Sequence, residues 1–207
     1  MQTSVNFREF RRSDAAFLEN IIRKTWNYDK FCTPKVAKQM ARVFLASCLT
    51  EQTFTKVALI GEKPVGIIMA KNIVLHKKSL PSLFNLAKAI LPLTLSKDGR
   101  QTTNFFKQIN FIDNELLSSS GKKFDGEITF FAIGKECQGL GIGKNLFDFA
   151  REYLSNSGAK NFFLYTDSSC NFGFYEHQGM ARLCEISPNL SLDIWKNTHF
   201  FLYEGNL

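Results

Sequence analysis

Residues 134–150, GKECQGLGIGKNLFDFA, constrain this chain more tightly than any other stretch. Gly139, Gly141 and Gly143 alternate with Leu140 and Ile142, and Lys144 follows at once. A β-rich run, Glu127 to Ile133, comes just before. After the glycines, Ile142, Leu146, Phe149, Ala150, Tyr153 and Leu154 recur at helical spacing and predict a helix that stops near Gly158. A strand, a glycine-rich turn and a helix together suit a phosphate. The first amides of a helix have no carbonyl behind them, and the helix dipole favours an anion there. Glycine lets that anion approach without meeting a Cβ.

Two nucleotide patterns fail on these residues. A triphosphate P-loop needs GxxxxGK[ST], but Gln138 stands five before Gly143 and Asn145 follows Lys144. The dinucleotide fingerprint GxGxxG begins at Gly139 and Gly141 but meets Lys144 where its third glycine belongs. That fingerprint also opens a βαβ unit, whereas this turn lies two-thirds along the chain.

Charge and composition narrow the partner. The net charge is +7, with an isoelectric point near 9.2, and such a balance favours anionic partners. No dense Lys/Arg run interleaved with aromatics occurs, so a small polyanion is expected rather than nucleic acid. The 21 phenylalanines read as an aromatic-rich core. Five cysteines, an odd number without zinc spacing, suggest free thiols and a cytoplasmic protein. Three scattered histidines and the lack of HExxH predict no metal site. The N-terminus is too charged for a signal peptide, and the apolar run Leu83 to Leu95 is too short to span a bilayer, so no membrane role is expected.

The rest of the chain reads as a mixed α+β fold in one domain over 1–207. Val5 to Phe10 predicts a strand. Ser13 is the expected cap of a helix carrying Phe17, Leu18, Ile21, Ile22 and Trp26. Thr33-Pro34 starts a second helix reaching about Leu49. Phe54–Ile60 and Val65–Ala70 form a hairpin about Gly61-Glu62-Lys63-Pro64. Leu80 to Leu95 is a helix, or a pair interrupted by Pro92, followed by a turn at Lys97-Asp98-Gly99. A further helix of about 18 residues runs from Phe105 and ends in the Ser118–Gly121 loop. Asn161–Thr166 is a strand, Asn171–Gln178 a short helix, and Met180–Ile186 with Thr198–Tyr203 a final strand pair.

Gln138-x-x-Gly141-x-Gly143 resembles the (Gln/Arg)-x-x-Gly-x-(Gly/Ala) loop of the GNAT superfamily of acyl-CoA-dependent N-acyltransferases. The element order is that family's order, and NFGFYEHQGM is similar to its late motif. The resemblance implies a central, mostly antiparallel sheet flanked by helices. It implies an enlarged helical insertion between strands 3 and 4, about residues 72–122. The cosubstrate it implies is acetyl-CoA. The amides of Gln138, Gly139, Leu140, Gly141, Ile142, Gly143 and Lys144 would hold the pyrophosphate. Phe131, Ala132 and Ile133 would lie along the pantetheine arm, which can act as an added strand. Many members carry an asparagine at the place of Ser168, and Asn171 is the substitute expected here. Tyr175 is the implied general acid for the departing thiolate, or else a packed aromatic. Glu127 stands where the histone-acetylating branch carries its catalytic glutamate; it is a base or a solvated strand-end carboxylate. Alternation places Glu127, Thr129, Phe131 and Ile133 on one face. Cys170, close to the thioester channel, is expected to be a buried thiol without a histidine partner, and Cys137 a bystander in the loop.

The expected activity is acetyl transfer to a primary amine by direct attack in a ternary complex, with a non-catalytic acyl-CoA-binding module as the alternative. Residues 72–122 read as a lid, a homodimer contact or simple core, with apolar Leu83, Phe84, Leu86, Ile90, Leu91 and Leu93 needing burial. Basic side chains there outnumber Asp98, Asp113 and Glu115. They suggest an acidic or phosphorylated acceptor, or merely flank the phosphates of the cosubstrate.

Overall fold

The computed structural model describes residues 4–95, 97–188 and 197–207. Its strands are β1 (Val5–Arg8), β2 (Phe54–Ile60), β3 (Lys63–Asn72), β4 (Gly126–Ile133), β5 (Asn161–Asp167), β6 (Ala181–Ile186) and β7 (Phe200–Asn206). They form one sheet in the order β1-β2-β3-β4-β5-β7-β6. Every neighbouring pair is antiparallel except β4 and β5. The helices are α1 (Ala15–Thr25), α2 (Pro34–Thr50), α3 (Leu80–Leu95), α4 (Lys97–Ser119), α5 (Ile142–Asn156) and α6 (Gly173–His177). The sheet separates two apolar clusters. One gathers α1, α2, α3 and α4 over Ile67, Met69, Phe130 and Ala132; the other gathers α5 over Ile68, Ala70, Ile128 and Leu164.

Local chemistry explains most boundaries. The Thr33 hydroxyl accepts from Val36 N at 3.5 Å and Pro34 opens α2, since proline lacks a donor that this position does not need. The start of α1 differs from expectation. Arg12–Asp14 is a short 3₁₀ turn, and Asp14 rather than Ser13 precedes α1. The Asp14 carboxylate accepts from Arg11 N at 2.8 Å and from the Arg8 guanidinium at 2.7 and 2.8 Å. A carboxylate offers more acceptor sites than a hydroxyl, and a guanidinium fits them two at a time.

The segment between β3 and β4 is two long helices. Leu80–Leu95 is one helix with Pro92 inside it. Proline denies a donor to the preceding turn, and Gln39 of α2 donates to the Ala89 carbonyl there at 2.5 Å. The turn expected at residues 97–99 is instead the first turn of α4, which runs 23 residues. Leu93 is buried and Leu86 packs against the core, but Phe84 and Leu91 stay exposed, with the Lys88 ammonium 4.6 Å over the Phe84 ring.

One irregularity shapes the site. Along β3 and β4, Lys71 pairs with Glu127 and Ala70 with Ile128, but Met69 pairs with Phe130. Thr129 is therefore an extra residue, a β-bulge. A bulge shifts the alternation by one residue. Glu127 turns to the face shared with Met69 and Phe130, while Phe131 and Ile133 turn toward α5. The single face expected for Glu127, Thr129, Phe131 and Ile133 does not form, because strand register is set by the partner strand.

Candidate active site

β4 and β5 pair only at Gly126–Phe162 and Glu127–Phe163. β4 then runs on to Ile133 and β5 to Asp167 without bonding each other. The open edge of β4 exposes backbone donors and acceptors that need partners. A cavity of about 1280 Å³ occupies this wedge, lined by Ile128–Ile133 on one side and Phe163–Asp167 on the other.

At one end the cavity reaches the glycine turn, where Gln138, Gly139, Gly141, Gly143 and Lys144 line it. Gly139 and Gly141 have φ of 82° and 74°, a region that side chains with a Cβ adopt with strain. Gly141 precedes α5, whose first amides belong to Ile142, Gly143 and Lys144. A Cβ on Gly143 would stand 3.1 Å from Ile133 Cδ1, so the third glycine lets the helix start sit against the end of β4. The side chains of Leu140 and Ile142 take no part in the lining: Leu140 is exposed and Ile142 is buried in the core.

Midway, Tyr175 of α6 lines the wedge and is almost fully buried among Phe131, Phe147, Phe174 and Tyr203. Burial, then the nearby Cys170 and Asp167, push its phenol well above the ordinary range. The hydroxyl therefore keeps its proton. Cys170 also lines the cavity, but burial and then Asp167 push its thiol up to about 12. A thiol held protonated is a poor nucleophile. Asn171 lines the cavity and Ser168 does not. The Ser168 hydroxyl accepts from His199 N at 3.0 Å and helps join the end of β5 to the approach of β7.

At the far end the wall is aromatic and acidic. Trp26, Phe44, Phe105 and Phe106 line it together with Glu51, Asp113, Glu127 and Asp167. Glu127 is paired with Lys71 at 2.7 Å, and Lys71 also reaches Glu51 at 3.2 Å. Burial raises the Glu127 carboxyl above its usual range, with Lys71 opposing the rise. Burial works against the Lys71 charge too, but the attraction of Glu127 and Glu51 wins and its pKa rises. Glu127 is thus neither solvated nor free. The Thr129 hydroxyl is buried without a hydrogen-bond partner among the described residues, a rare condition for a polar atom.

The cavity gathers Glu127, Phe131, Ala132, Ile133, Gln138, Gly139, Gly141, Gly143, Lys144, Asn171 and Tyr175, residues that the sequence singled out. Sequence reasoning missed Lys71, Asp113 and the aromatic wall. Asp113 carried a signal, since it falls one turn from both Ile109 and Leu117 on the apolar face of α4.

Comparison with known proteins bears on the fold. The sequence profile of the Acetyltransferase (GNAT) family matches residues 18–180. The chain belongs to that family. A search of curated protein sequences finds no match. Among solved structures, a Pyrococcus horikoshii protein is 16% identical, with TM-score 0.58 over 99% of this chain and 100% of that one. The paia N-acetyltransferase of Thermoplasma acidophilum, solved with coenzyme A, is 14% identical, with TM-score 0.54 over 99% of each chain. The alanine N-acetyltransferase of a ribosomal protein from Escherichia coli is 10% identical, with TM-score 0.55 over 98% of this chain and 94% of that one. At such identities the likeness is one of fold. Among the described residues no helix is long and apolar enough to cross a membrane.

Proposed function

We propose that the protein is a cytoplasmic N-acetyltransferase that moves an acetyl group from acetyl-CoA to a primary amine by direct attack in a ternary complex. The observation that carries this is the continuity of one cavity from the glycine turn, through the β4–β5 wedge, to the aromatic and acidic wall. Its residues fit the cosubstrate. The amides from Gln138 to Lys144, with Lys144 and Lys135 beside them, suit a diphosphate. The unpaired edge of β4 at Phe131–Ile133 suits the peptide-like pantetheine arm. Asn171, which lines the cavity as Ser168 does not, suits the amides of the arm. Acetyl-CoA supplies the acetyl thioester and a thiol leaving group.

The chain's own residues then hold, orient and move protons. The wedge lays one reactant against β4 while the far wall holds the other, so attack needs no further loss of translational freedom. Tyr175, kept protonated by burial, donates its hydroxyl hydrogen to the departing sulfur. Five free cysteines suit a reducing compartment. In a thermal melt, saturating acetyl-CoA should raise Tm by several degrees. Gly141→Asp, whose unliganded Tm is measured alongside, should lose that shift through its carboxylate and its strained φ of 74°. No shift of the wild type at millimolar ligand would end the reading.

A further inference from the structure

The segment between β3 and β4 brings in a carboxylate for which the scheme above has no role. Asp113 stands on the inward face of α4 and lines the cavity with Ile109 and Leu117. It makes no hydrogen bond or ion pair with any described residue. Glu127 is already engaged by Lys71 at 2.7 Å. A carboxylate neutralised by one ammonium is a poor receiver for another. We infer that Asp113, not Glu127, receives the ammonium group of the acceptor and takes its proton, and that the acceptor is a cationic primary amine with an apolar body. This inference rests on the acetyl-transfer reading of the same cavity.

Three observations converge on it. Of the carboxylates lining this end of the cavity, Glu51 and Glu127 share Lys71, Glu51 also meets Lys78 at 3.7 Å, and Asp167 accepts from Ser169 N at 2.8 Å, so Asp113 is the one with no hydrogen bond or ion pair among the described residues to offset an incoming positive charge. The lysines that suggested an acidic or phosphorylated acceptor, among them Lys77, Lys78, Lys88 and Lys107, do not line it. Trp26, Phe44, Phe105 and Phe106 supply an apolar surface whose ring faces also tolerate a cation.

The step balances. The ammonium gives one proton to the Asp113 carboxylate. The freed nitrogen forms a C–N bond with the acetyl carbonyl carbon, and the C–S bond breaks. The sulfur takes the Tyr175 proton, and Tyr175 recovers one from the new amide nitrogen. Asp113 passes its proton to solvent. Burial, then the like charges of Glu127 and Asp167, push the Asp113 carboxyl up to about 7. At neutral pH both of its forms are present, as a proton carrier requires. Tyr165 of β5 is coupled to it as well, while Lys71 of β3 and Glu51, just after α2, act on the neighbouring Glu127.

The test measures thiol release by wild type, Asp113→Asn and Glu127→Gln with alkyl, arylalkyl, diamine, carboxylated and phosphorylated primary amines. Each variant's acetyl-CoA thermal shift is measured in parallel. Cationic amines should be the best acceptors. Asp113→Asn should keep the acetyl-CoA shift, lose about 100-fold in kcat/KM, and lose the acid limb near pH 7 that Glu127→Gln retains. Asp113→Asn should also gain more Tm over wild type at pH 8 than at pH 5. The raised carboxyl holds its proton longer in the folded state, so wild-type stability falls as pH rises from about 4 to about 7, and an amide does not titrate. Phosphorylated or carboxylated amines as best acceptors, an acid limb lost in Glu127→Gln but kept in Asp113→Asn, or an equal Tm gain at both pH values would each overturn the inference. A wild type that acetylates amines with Asp113→Asn its equal removes this assignment alone. One that binds acetyl-CoA yet acetylates nothing removes the acetyl-transfer reading and this one with it.

Discussion

The two ends of the cavity are built by opposite means. The glycine end is made of main chain: amides of one short turn, contiguous in sequence and fixed by Gly139 and Gly141 at positive φ. The far end is made of side chains from α2, α4, β3, β4 and β5. A backbone site needs only a local conformation, so its residue spacing is its signature. A side-chain site depends on register and packing between distant segments, and the same residues shifted by one position would point elsewhere. The first kind suits a cosubstrate shared by a whole family. The second is free to differ with the acceptor.

That contrast can be broken by substitution, beginning where the effect should be largest. Tyr175→Phe should lower kcat by at least about 100-fold and leave the acetyl-CoA thermal shift intact. Equal losses in both would make Tyr175 part of the binding end. Lys71→Met should come next. It leaves the buried Glu127 without its cation, at a cost of about 3 kcal/mol near pH 8. The Glu127 carboxyl already lies above its usual range, so lowering the pH protonates it and the cost should shrink at pH 5. A loss independent of pH, read from denaturant melts, would show that Glu127 is not the group left exposed. Thr129→Val should have the smallest effect. It removes a hydroxyl that has no partner among the described residues, so unliganded stability should hold or rise, while kcat/KM falls a few-fold if a substrate uses that hydroxyl. A clear loss of unliganded stability would give the hydroxyl a structural role instead.

The same contrast explains what could be read from sequence. Thr33-Pro34, the hairpin about Gly61 and the strand–turn–helix at Gly139–Gly143 are dictated by residues a few positions apart, and the structure has them where expected. Asp14 displaced Ser13 at the head of α1 because Arg8 lies across from it, a tertiary contact that cap preference alone does not contain. The bulge at Thr129 is set by β3, so the true face of Glu127 was hidden in a strand about 60 residues away. In sequence Lys71 is one of several lysines leading into the segment 72–122, and only the pairing of β3 with β4 places it on Glu127. Ser168 stands where many members of the family carry an asparagine, and its hydroxyl accepts from His199 N near β7, a contact between distant segments.

The most direct test of the account is a crystal grown with coenzyme A. The account predicts the diphosphate within hydrogen-bonding reach of the amides between Gln138 and Lys144, with the arm lying along Phe131–Ile133 in the β4–β5 wedge. A diphosphate bound elsewhere, with protein side chains closing over the glycine turn, would contradict it.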